Sequence, residues 1–206
     1  MGFFITFEGP DGSGKTSASM GVYNKLLEKG YDVIYTREPG GIEISEQIRD
    51  IILDPKNTEM DFRTEALLYA ASRRQHLIEK ILPALKNNKI VICDRFVDSS
   101  LAYQGYARKL GINQVYKINQ FAIENNLPDK TLFLNIDAKT ALDRIQNREN
   151  KDRLDQEALS FHNDVFDGYQ EVIKIFKDRI IIIDASKTEE EVIESCFNEV
   201  IKIING

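Results

Sequence analysis

Five apolar runs constrain this chain more than any other feature. They lie at residues 3–8, 32–36, 90–93, 131–136 and 180–183, and none alternates apolar with polar residues. Alternation with a period of two marks a strand with one wet face. Unbroken apolar runs mark strands covered on both faces, as in a parallel sheet. Helical segments fill the intervals. Residues 17–28 follow the first run, 44–53 and 63–85 the second, 99–107 and 113–125 the third, 138–148 and 156–176 the fourth, and 189–204 the last. The final segment carries Val192, Ile193, Cys196, Phe197, Val200, Ile201 and Ile204, the stripe of a helix packed on one side. The alternation predicts βαβ units with right-handed crossovers, hence an α/β three-layer sandwich around a five-stranded parallel sheet. Pro55 and Asn57, Asn87–Asn88 and Pro128–Asp129 mark turns, and no linker divides the chain, so residues 1–206 read as one domain.

Composition narrows the class. Of 206 residues, 42% are apolar, enough for a core, and the net charge of −6 argues against a surface that coats nucleic acid. Any anion site must be built from local arginines. Cys93 and Cys196 sit in apolar runs and read as buried thiols of a reducing cytoplasm. No run of about 18 apolar residues suggests a membrane span. The start lacks the basic segment of a secretion signal. Gly2 fits a short myristoylation pattern, but it leads straight into the first apolar run and leaves no arm for a lipid.

Ligands of such sheets bind at the carboxyl ends of the strands. After the first run comes Gly9-Pro10-Asp11-Gly12-Ser13-Gly14-Lys15-Thr16, which matches G-x-x-x-x-G-K-[ST] with a strand before it and a helix after it. Each glycine loses more chain entropy on folding than other residues do, so three in one turn imply that backbone is wanted there. Without a Cβ, successive N–H groups converge on one concavity, and the next helix adds positive potential. Lys15 supplies a cation for the outer phosphates and Thr16 a hydroxyl ligand for Mg²⁺. Ile90-Val91-Ile92-Cys93-Asp94 ends an apolar strand in a carboxylate, placed like the metal-side acid of a phosphate-loop enzyme acting through water.

The loop identifies nucleoside triphosphate binding but not the reaction. A guanine-reading switch needs Asn-Lys-x-Asp after a late strand, whereas Asp137-Ala138-Lys139-Thr140 stands there. Arginines are placed instead at loops and helix starts: Arg37, Arg49, Arg73, Arg74, Arg95, Arg144, Arg148 and Arg153. Bringing two phosphorylated molecules together suits guanidinium forks better than ammonium point charges. The Arg37 and Arg95 pair, each at a strand end, also argues against a nucleoside kinase, whose acceptor carries no phosphate. The charge-dense residues 146–155 read as a lid that excludes water and delivers an arginine.

On these residues the chain resembles a thymidylate kinase of the bacterial type. The resemblance covers essentially the whole chain. It rests on Phe7-Glu8-Gly9, Thr36-Arg37-Glu38-Pro39-Gly40-Gly41, Ala70-Ala71-Ser72-Arg73-Arg74, the block from Asp94-Arg95-Phe96 to Ser99-Ser100-Leu101-Ala102-Tyr103-Gln104, and Arg153-Leu154-Asp155. It implies a nucleoside monophosphate kinase fold, transfer of the γ-phosphoryl group of ATP to dTMP with Mg²⁺, and a homodimer. It implies that residues 9–17, ending in Ser17, hold ATP. Arg37 and Arg95 would hold the dTMP phosphate, with Arg95 near the attack line. Arg73 would bond the thymine ring, Tyr69 stack on it, and Ser72, Ser100 and Gln104 lie about its polar edges. Tyr103 would crowd a 2′-hydroxyl, Asp11 approach the 3′-hydroxyl, and Arg49 close the gap between donor and acceptor. With no basic residue in the loop before Lys15, the catalytic arginine is expected in the lid. Arg148 and Arg153 are the candidates, and Arg153 is the better placed because it opens Arg-Leu-Asp. Tyr69 and Phe96 depart from the commoner phenylalanine and tyrosine, and Ile42-Glu43-Ile44-Ser45 is unusual after the double glycine.

Overall fold

Every apolar run forms a strand. The computed structural model describes residues 2–146 and 152–206. The strands are β1 (Phe3–Glu8), β2 (Val33–Arg37), β3 (Ile90–Asp94), β4 (Lys130–Asn135) and β5 (Ile180–Asp184). β1 has its expected bounds. β3 and β5 extend one residue past their runs, where pairing carries on through Asp94 and Asp184, while β2 lies one residue later than its run and β4 one earlier. All pairings are parallel, in the order β2-β3-β1-β4-β5. The register places Asp94 opposite both Phe7 and Arg37. The carboxyl ends of β1, β2 and β3 therefore stop side by side.

Alternate residues of each strand feed opposite layers. Ile5, Phe7, Ile90 and Ile92 pack with Ala18, Val22 and Leu26 of α1 (Lys15–Glu28), and with Val192, Cys196 and Val200 of α9 (Glu189–Asn205). Phe4, Val91 and Cys93 face the second layer. That layer holds α3 (Phe62–His76), a π-helical turn at Leu77–Ile81 leading into α4 (Leu82–Lys86), α6 (Ile112–Ile123) and α8 (Leu159–Ile175). α2 (Glu43–Leu53) packs on α3, and α7 (Ala138–Gln146) leads toward the expected lid. α5 (Val97–Ser100) also runs into a π-helical stretch, Leu101–Ala107. Both cysteines are buried and free, one in each layer. Among the described residues no helix is long and apolar enough to cross a membrane. Arg148 lies outside the described residues, as do its neighbours at 147 and 149–151.

Leu101–Ala107 and α8 touch closely at Gly168. A Cβ there would lie 2.8 Å from Tyr106 Cβ and 2.9 Å from the Ala102 carbonyl oxygen. Alanine normally stabilises a helix interior by about 1 kcal/mol over glycine. Here the collision is with backbone and a Cβ, which cannot swing aside, and overpacking typically costs about 1–3 kcal/mol. Gly168→Ala is therefore expected to lower stability by about 1 kcal/mol or more in urea unfolding. A midpoint at or above the wild type would show that the two helices separate freely.

Candidate active site

The phosphate loop runs from the end of β1 to the start of α1. Gly14 precedes the helix in the left-handed region, with φ 85°. Gly12 has φ 80°, and a Cβ on it would strike the carbonyl oxygen of Ala141. α1 has no side-chain cap and no acidic residue in its first turn, so its N–H groups remain available to an anion. Ser13 N–H donates to the Pro10 carbonyl at 3.2 Å, which closes the loop. Lys15 is buried and donates from Nζ to the same carbonyl at 2.8 Å. Burial, with the charge of Arg95, pulls its pKa down to about 8. Arg144 reaches over from α7 and donates to the Gly12 carbonyl at 3.0 Å.

Thr16 Oγ1 donates to Asp94 Oδ2 at 2.6 Å, joining the start of α1 to the end of β3. Asp94 is buried, and its Oδ1 has no hydrogen-bond partner among the described residues. An orphaned buried carboxylate oxygen is costly unless a ligand satisfies it. Oxygen donors beside a phosphate loop suit Mg²⁺, which prefers few protein ligands and keeps its waters. Thr16 and Asp94 thus fit the metal role read from the sequence.

Arg95 follows Asp94 with φ 69°, a left-handed conformation that side chains other than glycine rarely adopt. Its backbone N–H donates to the Phe7 carbonyl at 2.9 Å. The two N–H groups of Nη1 are shared among the Gly9 carbonyl, Ser99 Oγ and Tyr169 OH, all at 3.0–3.1 Å. Nη2 pairs with Asp11 at 2.5 Å, and the Tyr103 hydroxyl donates to the other Asp11 oxygen at 2.6 Å. Behind them stands Glu8, wholly buried. Burial pushes its carboxyl up to about 7; the Asp98 charge adds to the rise and Arg95 opposes it. Arg37 and Arg49 both donate to the Pro39 carbonyl, at 2.7 and 2.9 Å, and Arg37 also pairs with Glu46 at 3.0 Å.

Arg73 is the largest fully buried side chain. It donates from Nε to Glu38 (2.7 Å), from Nη1 to Ser100 Oγ (3.0 Å) and Asn119 Oδ1, and from Nη2 to the Phe96 carbonyl (3.0 Å). One of its five N–H groups keeps no protein acceptor among the described residues. Glu38 is held in turn by His76 Nδ1 at 2.9 Å. Phe96 lies under the guanidinium at 5.2 Å and packs edge-on against Phe4, so the departure from tyrosine is absorbed in the core.

A cavity of about 580 Å³ joins these groups. Lys15, Thr16 and Asp94 line it, together with Asp11, Arg37, Arg49, Arg95 and Tyr103 of the expected acceptor site. Tyr69, Arg73, Ser100 and Gln104, expected about the base, line it too, as do Ala185, Lys187 and Val192. Lys15 and Arg95 therefore share one cleft on one edge of the sheet.

Ser72 and Arg153 are not among the residues lining this cavity. Ser72 is wholly buried, its carbonyl accepting from Ser45 Oγ at 2.8 Å, because α2 packs over it. Arg153 is turned away from the loop. Its guanidinium donates to Glu65 and to the Ile52 carbonyl at 2.8 Å, and its N–H to the Leu53 carbonyl at 3.1 Å. Glu65 is fully buried and also accepts from Gln104 and Arg108. A buried carboxylate demands charged partners, and residue 153 is within its reach. Glu8 and Glu38 stand out in the sequence only as members of motifs, and Glu65, His76, Asn119 and Tyr169 do not stand out at all. Their partners in the site lie 35–161 positions away, beyond any local pattern.

The thymidylate kinase family model matches residues 7–196. The thymidylate kinase of Geobacillus sp. (strain WCH70) is 57% identical over 207 aligned residues, covering 100% of this chain and 99% of the relative. That of Oceanobacillus iheyensis is 56% identical, covering 96% and 92%. The crystal structure of thymidylate kinase from Ehrlichia chaffeensis superposes with a TM-score of 0.76 at 33% identity, covering 100% of this chain and 99% of that one.

Proposed function

The chain belongs to the thymidylate kinase family and phosphorylates dTMP on the way to dTTP, and from that premise we propose how its residues divide the work. ATP is the donor. Residues 9–17 hold its phosphates through loop N–H groups and Lys15. Arg37 and Arg95 hold the dTMP phosphate, whose oxygen attacks the γ-phosphorus as the bond to ADP breaks. Arg73 and Gln104 read the thymine, Tyr69 stacks on it, and Ser100 and Ser72 support that end. Tyr103 guards the 2′ position and Asp11 the 3′-hydroxyl. Thr16 and Asp94 would hold Mg²⁺, which neutralises charge on the phosphates when bound. The enzyme acts in the cytoplasm, and its two free thiols suit a reducing compartment.

The observation that carries this reading is the shared cleft of Lys15 and Arg95. A buried phosphate-loop lysine and a half-buried arginine in one cavity match the charges that two phosphorylated substrates bring together. The test is ADP release with ATP, Mg²⁺ and a panel of nucleoside monophosphates and nucleosides. dTMP is expected to lead the panel, and Lys15→Ala to cut its turnover by about 10²-fold or more. Preference for an unphosphorylated nucleoside, or near-wild-type turnover without Lys15, would overturn it.

In the lid we assign the transition-state arginine to Arg153, which must leave Glu65 to act. Arg153→Ala is expected to lower kcat by about tenfold or more while calorimetric dTMP affinity stays within about threefold. Lost dTMP affinity would make Arg153 a brace for the acceptor pocket instead. A second copy of the chain covers the α3–α6 face, where Phe121 is 90% and Leu67 55% exposed. Sedimentation at micromolar concentration should give a dimer, and Phe121→Glu a monomer; a wild-type monomer would sink the pairing.

A further inference from the structure

Glu8 closes β1, immediately before the phosphate loop, and four protein donors converge on its carboxylate. Phe96 N–H (2.7 Å) and Ser99 N–H (3.2 Å) reach Oε1. Ser99 Oγ (2.6 Å) and Tyr169 OH (2.9 Å) reach Oε2. An ionised carboxylate only accepts, so both hydroxyls must point their protons at it. Their lone pairs are then left for a donor on the other side, and that donor is Arg95. Nη1 donates to Ser99 Oγ at 3.0 Å and to Tyr169 OH at 3.1 Å. Glu8 also steadies the turn behind this side chain, because Phe96 N–H adjoins the left-handed Arg95 backbone. One carboxylate therefore fixes the arginine twice, through two oriented hydroxyls and through the peptide that follows it.

We propose that Glu8, acting through Ser99 and Tyr169, is the positioning residue that aims Arg95 at the acceptor's phosphate. It thereby sets how strongly the enzyme prefers a nucleoside monophosphate to the free nucleoside. This rests on the reading of Arg95 as the phosphate holder. Glu8 touches no substrate in this scheme. Tyr169 comes from α8, far from any motif that carries the site; it reaches Arg95 through this relay, and its ring packs edge-on against Tyr103. An amide in place of Glu8 has one oxygen and one NH₂. At least one of the four donors loses its acceptor, and a hydroxyl forced to accept from the amide turns its proton against the guanidinium.

The test compares calorimetric binding of dTMP and of thymidine, which lacks the phosphate, at pH 8, above the Glu8 carboxyl's own value of about 7. Glu8→Gln is expected to weaken dTMP by about tenfold, in the range of a lost hydrogen bond to a charged group, with thymidine unchanged within about twofold. Tyr169→Phe, which keeps the ring in its packing, should weaken dTMP by about threefold and leave thymidine alone. Adding Glu8→Gln to Arg95→Ala should give no further loss of dTMP binding. Equal weakening of both ligands would make Glu8 a purely structural residue and overturn the proposal. If Glu8→Gln does not fold, Tyr169→Phe and Ser99→Ala decide it by the same ratio. Should Arg95→Ala leave the dTMP-to-thymidine ratio intact, the assignment of Arg95 is wrong. Should Arg95→Ala collapse the ratio while the Glu8, Ser99 and Tyr169 variants all keep it, Glu8 alone is misassigned.

Discussion

Parallel register across three neighbouring strands is the constraint on which the site depends. Asp94 of β3 sits level with Phe7 of β1 and with Arg37 of β2. The next residues of β1 are Glu8 and Gly9, and the next of β3 is Arg95. The turn assigned to one substrate's phosphates therefore emerges beside the arginines assigned to the other's. A slip of one residue in β3 would send Asp94 to the opposite face of the sheet, away from the Thr16 hydroxyl it now accepts from. The wholly buried β3, with apolar layers on both faces, holds that register.

Around this edge the polar groups are arranged in chains, each ending in an arginine. Thr36 meets His76, His76 donates to Glu38, and Glu38 holds Arg73. Glu8 holds Ser99 and Tyr169, which hold Arg95. Glu65 gathers Gln104, Arg108 and Arg153. Each is anchored by a carboxylate away from water. In a low dielectric an unpaired charge of that kind would be strongly destabilising, whereas a fully bonded one holds its partners rigidly. Glu8 and Glu65 fix the direction of their cations from outside the cavity, whereas Glu38 also lines it beside Arg73.

Much of the fold was legible because its signals are local. Continuous apolar runs gave every strand to within a residue or so, and the loop sequence gave the turn, the helix start and the lysine. The π-helical stretches at Leu77–Ile81 and Leu101–Ala107 were not legible. One extra residue in a turn barely alters helical periodicity, so no local pattern marks it. The acceptor arginines could be named from the motifs that carry them, but their partners could not. Tyr169 and Glu8 are 161 positions apart. Arg153 shows the same limit from the other side. Its motif marks it for the lid, while its orientation is set by Glu65, a residue of α3 that no pattern near position 153 reveals.

Arg73 is clamped before any nucleotide arrives. Four of its hydrogens are already spoken for, and an aromatic ring supports its plane. A freely rotating guanidinium would surrender rotamer entropy on meeting a base, roughly 0.5–1.5 kcal/mol for a side chain of this length. Here that loss was incurred during folding. The thymine recognition proposed for the remaining N–H then proceeds almost as a rigid template, where a misfitting ring finds no compliant side chain to accommodate it.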